Sequence, residues 1–185
     1  MSSARPAFTV RPALPADVRA IRELVEPYAH RRILIAKEQV TYYEAVQEFV
    51  VAVDGADTVI GCGALHVMWS DLAEIRTLAV APGWVGAGVG HAILDTLLDR
   101  ARALGLERVF CLTFEVDFFS RHGFEEIDGT VVTPEVYAEL LRSHDDGVAE
   151  FLDLARVKPN TLGNTRMLLH LSPPPVSRDS APRTR

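Results

Sequence analysis

Apolar positions recur with two periods along the chain, and the switches between them mark out its elements. Residues 8–12, FTVRP, alternate and read as a strand. After Pro15, Asp17 stands where it would cap a helix whose Val18, Ile21, Leu24, Val25 and Tyr28 share one face. A second helix over about 40–48 aligns Tyr42, Val46 and Phe49. Two apolar runs, 49–53 and 58–69, flank Asp54-Gly55 and predict an antiparallel hairpin. Residues 72–80 form a further strand. The longest amphipathic helix runs from about 88 to 104, with Val89, Ile93, Leu94, Leu97, Leu98, Ala101 and Leu104 inward and Gly105 as its stop. A buried strand at 108–114 follows, then a short helix near 117–122, a strand around 124–132, a helix near 134–142 and a last strand at 165–171. This order predicts an α/β domain built on one mixed sheet with helices on both faces.

Length and composition narrow the picture. The 185 residues suit one domain, and 48% hydrophobic with 24% charged residues is ordinary for a soluble globular chain. The domain is expected over 8–171. Residues 1–7 read as a flexible N-terminus. Residues 172–185, SPPPVSRDSAPRTR, offer too little apolar surface to offset their ordering entropy and read as a disordered tail. The net charge of −6, with no Lys/Arg-rich run, argues against nucleic acid as a partner. No apolar stretch approaches the ~18 residues of a membrane span. The first residues lack an apolar signal core, so the expected location is cytoplasmic. Cys62 and Cys111 sit inside apolar runs and read as buried, reduced thiols; the six histidines show no metal-ligand spacing, and no metal is expected.

The most informative segment joins the strand at 72–80 to the long helix: Ala81-Pro82-Gly83-Trp84-Val85-Gly86-Ala87-Gly88-Val89-Gly90-His91. Alternate glycines permit a tight turn and leave amide N–H groups uncovered at a helix N-terminus, which suits a phosphate or diphosphate. A turn that merely requires positive φ is the plainer reading. A P-loop would place Lys-Ser/Thr after its last glycine, whereas His91-Ala92 follow Gly90. A dinucleotide fold would place an acidic residue at the end of the next strand, which instead closes with Thr113-Phe114.

The block Ala81-Pro82-x-Trp84-x-Gly86-x-Gly88-x-Gly90 resembles the acyl-CoA loop of the GNAT N-acetyltransferases. Phe118-Phe119-Ser120-Arg121-His122-Gly123-Phe124 resembles that family's second signature. The resemblance spans roughly 8–171. It implies a sheet splayed between the strands at 72–80 and 108–114, with acetyl-CoA as co-substrate in the wedge. The cofactor positions it implies are Leu78, Ala79, Val80, Val85, Gly86, Ala87, Gly88, Val89, Gly90, His91, Thr113, Phe118 and Phe119. There are two departures: Val85 stands where Arg or Gln is usual, and Phe119 where many members carry a tyrosine that protonates the departing thiolate.

Within the family the chain is most similar to the amino-acid N-acetyltransferases of arginine biosynthesis, the N-acetylglutamate synthases, in their short kinase-free form. Gly63-Ala64-Leu65-His66, Asp71 to Val80, Arg108 to Thr113 and the stretch from Val157 to Asn164 carry that similarity. It implies acetylation of the α-amine of L-glutamate or L-glutamine by direct attack, and a homodimer. Along a strand, alternation would place Leu72, Glu74, Arg76, Leu78 and Val80 on one face. Glu74 is then the general base, and the Leu78 and Ala79 amides are the donors to the thioester oxygen. A structural Glu74–Arg76 ion pair is the competing reading. Arginine forks match carboxylates, so Arg76 and Arg166 are candidate receptors in a locally basic cleft; the resemblance implies Lys37, Asn164 and Thr165 as further substrate contacts, with Thr77 beside them. Acetylation of a different amine (a polyamine, an antibiotic or a protein N-terminus) and a non-catalytic acyl-CoA sensor remain as alternatives.

Overall fold

The computed structural model describes residues 7–35, 37–155 and 163–171. The expected tail, residues 1–6 of the N-terminus and the stretch 157–162 lie outside the described residues.

Seven strands pair in the order β1-β2-β3-β4-β5-β7-β6. They are β1 (Phe8–Pro12), β2 (Phe49–Asp54), β3 (Val59–Trp69), β4 (Leu72–Val80), β5 (Arg108–Thr113), β6 (Glu125–Glu126) and β7 (Thr165–His170). Every pairing is antiparallel except β4 with β5. A parallel pair needs a long crossover, and α3 (Val89–Ala103) supplies it. Its stripe Val89, Ile93, Leu94, Leu97, Leu98 and Ala101 is buried against the sheet. Two glycines of β3 let it come close: a Cβ on Gly61 would lie 2.8 Å from Val89 and Ile93, and one on Gly63 2.8 Å from Ile93. Leu104 was expected on this stripe but is 55% exposed, because the helix ends at Ala103.

On the opposite face α1 (Val18–His30) buries Val18, Ile21 and Val25 against Phe49, Val51, Cys62 and Ala79. A third apolar cluster lies where α5 (Pro134–Leu140) and α6 (Asp146–Phe151) cover Leu72, Phe110 and Leu168. The hairpin at Asp54 forms as expected, with Asp54 Oδ1 accepting the Ala56 and Thr58 amides at 2.9 Å each.

Several local expectations fail for identifiable reasons. Asp17 does not cap α1; it binds Arg11 at 2.7 Å and accepts the Leu14 amide at 2.7 Å. The helix over 40–48 divides into α2 (Gln39–Glu44) and a 3₁₀ turn, Val46–Glu48. The strand at 124–132 shrinks to β6, since Gly129 at φ +73° turns the chain away from β7. Helix α6 was not expected at all.

The largest correction concerns β4. Cys62 pairs with Ala79 but Ala64 pairs with Arg76, so β4 carries one extra residue, and Thr77 takes it up at φ +58°. The alternation flips there. Leu72 faces the cluster under α5 and α6, while Leu78 and Val80 pack on the α3 side with Ala73 and Ile75. Glu74 and Arg76 therefore do not share a face with Leu78 and Val80.

Candidate active site

β4 and β5 pair only over residues 72–75 and 108–111, then diverge. The gap opens into a cleft of about 480 Å³. One wall is Leu78, Ala79 and Val80, the other Leu112, Thr113, Phe118 and Phe119, and Gly86, Gly88 and Gly90 close the end. Tyr28 reaches in from α1 and donates its hydroxyl to the Val80 carbonyl at 2.6 Å.

The glycine turn is built by backbone geometry. Pro82–Trp84 make a 3₁₀ turn, and Trp84 sits edge-on to Phe8 at 6.2 Å. Gly86 (φ +82°) and Gly88 (φ +92°) are left-handed, and a Cβ on either would meet nothing within 4 Å, so conformation rather than space demands glycine. Gly88 is the N-cap of α3, and Ala92 is the residue that donates back to its carbonyl. Helix geometry leaves the Gly88, Val89, Gly90 and His91 amides without an i−4 acceptor, at the positive end of the helix dipole. Two expected donors are engaged instead: the Val85 amide points to Pro82 O at 3.5 Å and the Ala87 amide to Trp84 O at 3.1 Å, because the tight turn continues through them.

Other predicted contacts are partly committed. His91 Nδ1 lies 2.7 Å from His122 Nε2, and its ring is 4.9 Å from that of Phe118. Burial and the neighbouring His91 hold the His122 pKa below the usual imidazole range, against the opposing charge of Asp95. Thr113 lines the cleft, but its hydroxyl accepts the Glu115 amide at 2.8 Å. Phe119 is buried among Phe118 and Phe124 and still reaches the cleft wall.

A smaller pocket of about 160 Å³ adjoins the cleft and shares Ile33, Leu34, Ile75, Arg76, Thr77 and Leu112 with it. It holds Lys37, Glu74, Glu150 and Asn164. Glu74 is 4% exposed. Its Oε2 accepts from Arg76 Nη2 at 2.6 Å and from Nε at 3.0 Å. Arg76 also donates to both oxygens of Asp145, at 3.0 and 3.1 Å. Burial alone would lower the Arg76 pKa, but the two carboxylates outweigh it and raise it. Burial works upward on Asp145, and the Arg76 charge overcomes it and brings the carboxyl down to about 2. Arg76 is thus a clamp between two acids, not the open carboxylate receptor that was expected.

Arg166 is also corrected. It donates to the Glu150 carbonyl at 3.1 Å and to the Phe151 carbonyl, and its guanidinium lies over the Phe110 and Phe151 rings at 5.0 and 5.8 Å. It closes the C-terminal end of α6, where a cation is favoured. Thr165 pairs with Thr113 in the ladder and is not among the residues lining either cavity. Asn164 and Lys37 do line the small pocket. Burial and the Arg76 charge lower the Lys37 pKa, with Asp145, Glu74 and Glu48 opposing. With Arg32, Lys37 and Arg76 set against Glu74, Glu150 and Asp145, the pocket is close to balanced in charge rather than basic.

Sequence reasoning missed Glu150, which is 6% exposed and lines the small pocket. Burial, reinforced by the charges of Glu74 and Asp146, raises its carboxyl to about 7 against Arg76 and Lys37. Its only signal was an acidic residue among apolar Val148, Ala149, Phe151 and Leu152. Among the described residues no group of three His, Cys, Asp or Glu is placed to hold a metal ion, and no helix is long and apolar enough to cross a membrane.

A splayed β4–β5 wedge ending at free helix amides, with a buried carboxylate pocket beside it, can hold a thread-like ligand bearing a diphosphate and bring its far end to an acid. Comparison with known proteins gives the same architecture. The acetyltransferase (GNAT) family matches over residues 18–124. An amino-acid acetyltransferase of Mycobacterium tuberculosis is 63% identical over 164 residues, covering 88% of this chain and 94% of that one. The crystal structure of Rv2747 from M. tuberculosis in complex with CoA and NLQ superposes with a TM-score of 0.86 at 62% identity, over 89% of this chain and 99% of that one. N-acetylglutamate synthase from Neisseria gonorrhoeae, complexed with coenzyme A and N-acetyl-glutamate, shares the fold at a TM-score of 0.71 and 21% identity, over 92% of this chain and 36% of that one. The chain belongs to the acetyltransferase (GNAT) family.

Proposed function

We propose that the protein transfers the acetyl group of acetyl-CoA to the α-amine of an amino acid, L-glutamate or L-glutamine, in the cytoplasm, as the first step of arginine biosynthesis. The observation that carries this reading is the small pocket: it buries Glu74 beside Lys37 and Asn164 and shares its walls with the wedge. The 63% identity to an amino-acid acetyltransferase supports the class of acceptor.

The amides of Gly88, Val89, Gly90 and His91 receive the diphosphate. The acyl end lies between the diverging β4 and β5, where the Leu78 amide polarises the thioester oxygen and stabilises the oxyanion that follows; the Ala79 backbone is already hydrogen-bonded to Cys62 of β3. Lys37 and Asn164 hold acceptor carboxylate or amide oxygens in the small pocket. The amine attacks the thioester carbon directly, and Glu74 takes a proton from its nitrogen in the course of the transfer. No covalent enzyme intermediate is involved. Both cysteines are buried, and burial pushes the Cys62 thiol up to about 12 and Cys111 well above its ordinary value, so neither is a nucleophile at neutral pH. With Phe119 in the usual tyrosine position, water protonates the CoA thiolate.

Release of free CoA across a panel of amino acids, polyamines and peptides tests the reading. Turnover is expected with glutamate or glutamine. Turnover confined to polyamines or peptides would refute the acceptor, and tight acetyl-CoA binding without release would make the protein a sensor.

A further inference from the structure

We infer that Glu150 is a second catalytic carboxylate of this site, the group that takes the first proton from the acceptor's α-ammonium and leaves Glu74 to take the second. The inference rests on the reading that an amino acid enters the small pocket.

Three constraints bring Glu150 there. Asp145 caps α6, accepting the Val148 amide at 2.9 Å, and is itself gripped by Arg76. Arg166 holds the carbonyls at the other end. Between them Gly147 lets the helix lie on the ion pair: a Cβ there would sit 2.6 Å from Arg76 Nη2 and 2.9 Å from Glu74 Oε2. A short helix pinned so tightly over two charges delivers a third, Glu150, into the same pocket.

The two carboxyls differ in what they already bind. Glu74 Oε2 accepts two Arg76 donors. Glu150 Oε1 is fully buried and has no hydrogen-bond partner among the described residues. Leaving a buried carboxyl oxygen without a donor is costly, and a substrate ammonium is a group of the right charge and size to satisfy it. The charged groups facing Glu150 are Glu74 and Arg76 from β4, Lys37 from the segment before α2, and Asp146 of its own helix. Their balance, with burial, keeps its proton until about pH 7, close to the value that general base catalysis at neutral pH favours.

The protons balance. Glu150 carboxylate takes one proton from R–NH₃⁺. The freed lone pair forms the N–C bond to the thioester carbon. The nitrogen's second proton passes to Glu74 as the tetrahedral intermediate collapses. The C–S bond breaks with its electron pair on sulfur, and the thiolate takes a proton from water. Both carboxyls then return their protons to solvent, so one proton is released per acetyl transferred.

The test is the pH dependence of kcat/KM for the amino acid in wild type, Glu150→Gln, Glu150→Asp and Glu74→Gln, with CoA affinity measured calorimetrically on each. Wild type should lose kcat/KM as pH falls through about 7. Glu150→Gln should lower it about 10²-fold and abolish that limb while CoA affinity holds. Glu150→Asp should recover part of the rate and keep a limb. Wild-type kcat/KM with an unmoved limb in Glu150→Gln overturns the proposal, and so does a raised KM with kcat and limb unchanged. If wild type releases no CoA with any amino acid, the acceptor assignment fails and this proposal with it; if wild type turns over and the Glu150 substitutions leave rate and pH limb unchanged, this proposal fails alone.

Discussion

Arg76 binds Glu74 and Asp145 at once with its side chain only 9% exposed, so its removal leaves two acids facing each other in a buried pocket. Arg76→Ala should therefore cost stability, by about 3–5 kcal/mol, and thermal unfolding should show the loss before any kinetic change is read. Glu74→Gln keeps the side chain's shape and can still accept from Arg76. It should lower kcat by roughly 10²–10⁴ if Glu74 is a base and leave the calorimetric affinity for CoA unchanged. Glu150 gives a signed pH effect. Its carboxyl is raised in the folded protein from an ordinary 4.5 to about 7, so between those values the native state holds more protons than the unfolded chain. That contribution to stability is full below about 4.5 and is lost as pH rises through about 7. Melting curves of Glu150→Gln and wild type should show a difference that moves in the variant's favour from pH 5 to pH 8. Glu74 was legible in the sequence because it sits two positions from a cation on a strand leading into a glycine turn. The Glu74–Arg76 ion pair was legible as the competing reading, but Asp145 and the α6 carbonyls, which complete the binding of Arg76 and Arg166, are distant in sequence and meet them only in the folded chain.

The turn into α3 shows which glycine does what. Gly88 is left-handed at the N-cap, whereas Gly90 lies inside the helix and a Cβ there meets Phe118 at an ordinary 3.5 Å. Gly88→Ala should destabilise by about 1–2 kcal/mol from its backbone conformation and weaken CoA binding by tilting the free amides. Gly90→Ala should be neutral, or stabilising by up to about 1 kcal/mol, with CoA affinity kept. Chemical denaturation and calorimetry on the two variants separate these outcomes, and equal loss in both would refute the geometry. This element could be read from the sequence because a glycine run and a helical period are both local signals. The bulge at Thr77 could not. It is fixed by β4's register against β3, and a threonine at φ +58° is conformationally disfavoured until the two strands impose it. Helix α6 was hidden for a related reason. Six residues are too few to display a period, and their stability comes from Asp145, Arg76 and Arg166 rather than from propensity.

The sheet as a whole is two antiparallel halves, β1 to β4 and β5 to β7, joined by one short parallel ladder over residues 72–75 and 108–111. Alternating patterns revealed the strands. The splay was expected from the family resemblance, because a periodic pattern records which face is buried and not where a neighbouring strand departs. In the fold, β4 beyond residue 75 has strand pairing only with β3. Tyr28 holds its Val80 carbonyl, but the other main-chain groups on the β5 side have no strand partner, and such backbone opens at low free-energy cost. A ligand lying in the wedge would bind both halves and supply the missing partners. At 100 times its dissociation constant, CoA should stabilise the native state by about 2.7 kcal/mol, which for a chain of this size raises the melting temperature by about 5–10 °C. The location of the effect tests the wedge more sharply than its size. Hydrogen exchange should be slow at residues 72–75 and 108–111 with or without CoA. At 76–80, 88–91 and 112–114 it should be faster in the free protein and slow markedly on CoA addition. Protection spread evenly over the sheet, or confined to the glycine turn, would mean that the cofactor arm does not run between β4 and β5.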